Sequence, residues 1–140
     1  MNWIVAGLIA GVGAFFADWV MWGKVFTKGM EAYGTFPPSP EEGKKMMAAA
    51  LPKSAVLALV FGVVLAFLYR RFMGSLWVSG GGPLAGMEFA TVLWLPTIAI
   101  ATVGNSIWYD KVRRLNNATF WSWLVRINVS GLLLGVLIRS

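Results

Sequence analysis

Residues 3–22 read WIVAGLIAGVGAFFADWVMW, and this stretch decides the fold. It carries one charged side chain, Asp18, and its length meets the ~20 apolar residues a helix needs to cross a hydrocarbon core. No water inside lipid can satisfy free N–H and C=O groups, so such a segment closes its own bonds as an α-helix. Residues 52–69, 84–108 and 119–138 repeat the pattern. Pro96 falls inside the third stretch, where its missing backbone donor predicts a kink. The expected fold is all-α: one domain over residues 1–140, an integral membrane bundle of four transmembrane helices.

Composition agrees. Hydrophobic residues make up 58% of the chain and charged residues 13%, about half the ~25% charged of a soluble domain. A water-soluble chain of this size could not bury so much apolar surface in one core. There is no Cys and no His. Disulfides, thiolate nucleophiles, iron–sulfur clusters, the commonest metal ligand and the commonest general base are therefore excluded. No metal site and no cofactor is expected. The net charge of +6 is read as loop bias plus attraction to anionic membrane lipids, not as a nucleic-acid surface.

The longest connector is 23–51. Gly34-Thr-Phe-Pro-Pro within it cannot be helical throughout. Ser39-Pro40-Glu41-Glu42 is a helix start, with Ser39 as cap, Pro40 at the first helical position and Glu42 completing a capping box. A short interfacial helix is expected through Lys44 and Lys45 towards Ala50, ending ahead of Pro52 and the second span. Ser79-Gly-Gly-Gly-Pro83 reads as a turn, since it lacks the Lys and following Ser or Thr of a phosphate loop.

Basic residues divide unequally. Lys24, Lys28, Lys44, Lys45, Lys53, Lys111, Arg113 and Arg114 fall on one side, and Arg70, Arg71 and Arg139 on the other. This bias predicts a prokaryotic inner (cytoplasmic) membrane protein with both termini outside the cytoplasm. Met1-Asn2 supplies no basic n-region, so the first span is expected to stay in the mature protein. Tryptophans gather near the predicted span ends, as an interfacial belt does.

Charges within spans cost ~2.5–3.5 kcal/mol near the bilayer centre, which makes them the first place to look for function. Asp18 lies about one turn, and Arg126 about two turns, inside the same predicted boundary. An Asp18–Arg126 ion pair is the expectation; separate snorkelling to the interface is the alternative. Gly7, Gly11, Ala14 and Asp18 form one small-residue stripe suited to close helix approach. In the fourth span Thr119, Ser122, Arg126 and Ser130 share one face, while Asn128, Gly131 and Gly135 share nearly the opposite one. Two faces unsuited to lipid suggest that one packs within the bundle and the other, carrying Asn128, Gly131 and Gly135, against a second subunit. Glu88, Thr91, Thr102 and Asn105 follow helical spacing down the third span. That stripe reads as the lining of a hydrated path or ligand groove, or as a seam satisfied by neighbouring helices. The second span, nearly free of polar groups, is expected to be the most lipid-exposed, with Ala58, Gly62 and Ala66 as its packing ridge.

Several short motifs recur together. Met1-Asn2-Trp3 leads a span closing with Trp19 and Gly23-Lys24-Val25-Phe26. Later come Leu93-Trp94-Leu95, Asn105 before a short basic loop, and Phe120-Trp121-Ser122-Trp123-Leu124 running through Asn128 to a Gly-rich helix end. The combination resembles a family of small four-helix prokaryotic membrane proteins catalogued as domain of unknown function 1761. The likeness covers most of the chain outside the 27–50 loop. The chain lacks the Ser-Pro pair that often follows the family's aromatic cluster, and Asp18 departs from its apolar-aromatic pattern. The resemblance implies a four-span topology; the family has no established activity.

The leading functional expectation is a non-enzymatic membrane bundle, either a homo-oligomer or an accessory subunit of a larger membrane complex. Its partners would be membrane lipids, itself or other membrane subunits, with no nucleic acid. The alternative is a small proton-coupled transporter using Asp18 and the polar stripe of the third span. Such a transporter needs its carboxylate free for exchange, which a salt bridge to Arg126 would oppose. An enzyme using Tyr109, Asp110 or Arg126 on a lipid substrate ranks third.

Overall fold

The computed structural model describes residues 1–26, 39–78 and 80–138. Helix α1 (Trp3–Val20) begins where the Asn2 side chain accepts the Ile4 N–H at 2.9 Å, and it runs on into a π turn, Met21–Val25. α2 (Pro40–Phe72) starts at Ser39, whose Oγ accepts the Glu42 N–H at 3.3 Å. The third span is α3 (Pro83–Trp94), a π turn (Leu95–Ala99) and α4 (Ile100–Trp108). α5 (Arg113–Leu137) follows a short 3-10 turn, Asp110–Val112. Among the described residues, four helical runs are long and apolar enough to cross a membrane. The protein is an all-α integral membrane bundle with up-down-up-down order.

Two expectations about the elements need revision. Residues 40–50 do not form a separate interfacial helix, because α2 continues through Pro52 as one run of 33 residues. A proline inside a helix removes a single donor, and the turns on both sides of Pro52 hold the run together. The fourth span starts six residues earlier than the apolar pattern indicated, since Arg113–Ala118 is helical despite its polarity. Gly80, Gly81 and Gly82 all adopt positive φ, a conformation open to glycine at no steric cost, so the turn into α3 is built from them. Gly34-Thr-Phe-Pro-Pro, Lys28, Ser79 and Arg139 lie outside the described residues.

Small residues set the seams. Gly7 and Gly11 of α1 face Ala58, Gly62 and Ala66 of α2 so closely that a methyl group at Gly62 would overlap the Gly7 carbonyl. Gly131 and Gly135 of α5 meet Gly82, Gly86 and Ala90 in the same way. α1 and α5 then join the two hairpins, with Ala6, Ala10 and Ala14 fully buried and Ser130 Oγ donating to the Ala10 carbonyl at 3.0 Å. Close backbone approach of this kind gains dispersion energy where lipid offers no hydrophobic drive. α2 and α3 meet through Tyr69 and Phe89, packed edge to face at 5.5 Å. α2 is the least buried of the four spans within the bundle.

The α3–α5 seam corrects the expected use of Asn128, Gly131 and Gly135. That face is covered by α3 of the same chain, not left for a second subunit. Asn128 Oδ1 accepts the Thr91 hydroxyl at 3.2 Å while its Nδ2 donates to the Leu124 carbonyl. Both non-lipid faces of α5 are thus used internally, one on α3 and one on α1.

Candidate functional site

α1 ends two residues after Asp18, which places the carboxylate beside the middle of α5. Ser122, Arg126 and Ser130 repeat every four residues and therefore share the α5 face that meets α1. Arg126 Nη1 donates to Asp18 Oδ2 at 2.6 Å, and the two side chains are 14% and 28% exposed. The guanidinium carbon lies 4.6 Å from the Phe61 ring centre and 4.5 Å from that of Trp123. Those rings touch each other edge to face at 5.8 Å. One arginine therefore ties α1 through Asp18, α2 through Phe61 and its own helix through Trp123. Cation–π contacts contribute ~0.5–2 kcal/mol each, more when water is excluded.

A cavity of about 320 Å³ adjoins the pair, walled by Phe15, Trp19 and Trp22 of the first span and by Leu51, Ser54 and Leu57 of α2. Lys24 Nζ sits 5.7 Å from the Trp19 ring. Arg126 Nε is buried without a hydrogen-bond partner, as is the hydroxyl of Ser122 one turn earlier. The chemistry here is one carboxylate engaged by a clamped guanidinium, with aromatic walls and no activated nucleophile among the described residues.

The third-span stripe does not form one surface. Glu88 accepts the backbone N–H groups of Trp77 and Val78 at 2.7 and 2.8 Å, holding the chain that enters α3. Thr91 faces Asn128. Thr102 is buried and donates to the Ile98 and Ala99 carbonyls, whereas Asn105 is exposed. The π turn explains the break. Buried positions run Gly86, Ala90, Trp94 and then Ala99, a spacing of five, before Thr102. One extra residue advances the face by about 100° relative to an unbroken α-helix. Pro96 sits in that turn.

Sequence reasoning missed Phe61 and Trp123. Trp123 lies three residues before Arg126 on the same helix, a readable neighbour. Phe61 in the apolar run of α2 carries no signal of its own. No family model matches the chain, nor does any curated protein or solved structure. Fold and site together define a four-helix integral membrane bundle held by glycine seams and one aromatic-clamped ion pair.

Proposed function

We propose that the protein is non-enzymatic and works by contact, as a subunit of an assembly built with itself or with other membrane proteins. The observation that carries this reading is the near end of α2. Residues 40–54 contain no buried position, and Met46, Met47 and Leu51 are 53%, 61% and 49% exposed. The whole helix is about 50 Å long at ~1.5 Å per residue, against a hydrocarbon thickness of ~30 Å. Among the described residues, positions 40–50 are all exposed or half-exposed, and a helical stretch of this length is marginal alone in water. Gly43 and Pro52 weaken it further, so a partner surface over the two methionines accounts for it. A photo-crosslinking residue at Met46 in native membranes should yield a discrete larger adduct, and a smear or unmodified chain would count against the reading.

Placement follows the charge bias: an inner membrane, both termini outside, the α2 extension in the cytoplasm. Cysteine at Ser39 and at Ser75, probed by an impermeant thiol reagent on intact cells, should label only Ser75→Cys. The transport alternative keeps one supporting observation, the cavity against Asp18. Its other requirement, a continuous polar lining, is interrupted at the π turn, and proton-driven uptake into liposomes is its test.

A further inference from the structure

The third span parts from α5 beyond its π turn. Five residues of α3 are buried, but only Thr102 in α4. A cleft of about 390 Å³ opens between α4 and the first turns of α5. Its walls are graded along the helices. Val103 and Phe120 lie far from the 109–112 connection, Ile107 comes nearer, and Arg113 and Asn116 stand beside it. Thr102 and Ser106 also line the cleft, yet both hydroxyls donate to carbonyls of their own helix and are satisfied. Asn116 is different: its Nδ2 is buried without an acceptor. Arg113 holds Asp110 at 2.6 Å in a bridge whose side chains are 68% and 83% exposed, a weak surface contact that a better anion can replace. The connection adds Lys111, and the first turn of α5 Arg114, to this end of the bundle.

We propose that this cleft seats an anionic phospholipid. Its phosphate oxygens accept from the Arg113 guanidinium and, once that side chain turns out to the cleft, from the Asn116 amide, whose Nδ2 is shielded in this conformation, and one acyl chain lies along Ile107, Val103 and Phe120. Each part of the ligand answers something present. The guanidinium favours a phosphate by charge-assisted bonding, and the unpaired amide needs an acceptor. The apolar walls suit a chain supplied from the bilayer rather than a soluble anion. The inference is independent of the contact function proposed above.

The experiment is native mass spectrometry of the protein delipidated in a maltoside detergent and then supplied with phosphatidylglycerol or phosphatidylcholine. One phosphatidylglycerol per chain should survive collisional activation that strips phosphatidylcholine. Arg113→Gln with Asn116→Leu should lower the retained lipid about tenfold, the scale of one lost charge-assisted contact. If the double variant fails to fold, Arg113→Gln alone, at an exposed side chain, should still lower it several-fold. Arg70→Gln with Arg71→Gln, at the opposite end of the bundle, should leave retention unchanged. Equal retention of both lipids would show a cleft that takes chains without reading charge, and would overturn the proposal. Loss on changing Arg70 and Arg71, or displacement by excess inorganic phosphate, would overturn it too.

Discussion

Removing Asp18 and Arg126 singly and together should expose their coupling. Asp18→Asn leaves the guanidinium charged between Phe61 and Trp123 with no carboxylate to meet it. Breaking a buried pair from one side costs ~3–5 kcal/mol. Asp18 is 28% exposed and borders a cavity of about 320 Å³, so access to water lowers the expected loss to about 2–3 kcal/mol. Arg126→Gln strands Asp18 and also removes both ring contacts, at ~0.5–2 kcal/mol each. Its expected loss is about 3–5 kcal/mol. The double variant strands no ion. It should lose about 2–3 kcal/mol, well short of the sum, giving a coupling of about 2 kcal/mol or more. Unfolding of the purified protein in maltoside micelles with rising dodecyl sulfate measures all three. A double variant that loses the sum of the single losses would refute the pairing and free Asp18 as an independent ionisable group.

Other substitutions test the seams and the helix lengths. Gly86→Leu or Gly131→Leu should cost about 3 kcal/mol or more, because even a methyl at either site overlaps the opposing backbone; oligomeric state should not change, since the seam is internal. Gly104→Ala, with nothing within 4 Å of the added methyl, should raise stability by ~0.5–1 kcal/mol in the same unfolding assay. Glu88→Ala should loosen the chain before α3 and speed amide exchange at Trp77 and Val78, whose N–H groups it accepts. Pro52→Ala should stabilise α2 by about 1–3 kcal/mol; a loss instead would mean that a break at Pro52 is needed.

How legible all this was depended on what each residue must satisfy. Four spans were readable because an unbroken apolar run of ~20 residues in a bilayer closes its own backbone bonds as a helix. Counting turns from the membrane boundary was enough to set Asp18 and Arg126 at one level. Gly7 and Gly11 announced a close neighbour, as did Gly131 and Gly135. A single sequence shows that a face avoids lipid, not which helix covers it, so α3 was mistaken for a second subunit there. The third-span stripe assumed constant helical rotation, and one π turn at Pro96 defeated it. Glu88 looked like a membrane-embedded acid, but its partners are two backbone groups in a turn whose path no periodicity reveals. Pro52 read as a helix end, whereas propensity at one residue yielded to the helix around it.

The native mass of the protein, extracted from its own membranes in mild detergent, bears most directly on the claim that it works by contact. The chain alone weighs 15.3 kDa. A discrete heavier species, of several copies or with a second protein, is expected, and it should fall apart when Met46 and Met47 are both changed to Glu. A monomer of 15.3 kDa carrying no protein partner, with a mass unaltered by that change, would contradict it.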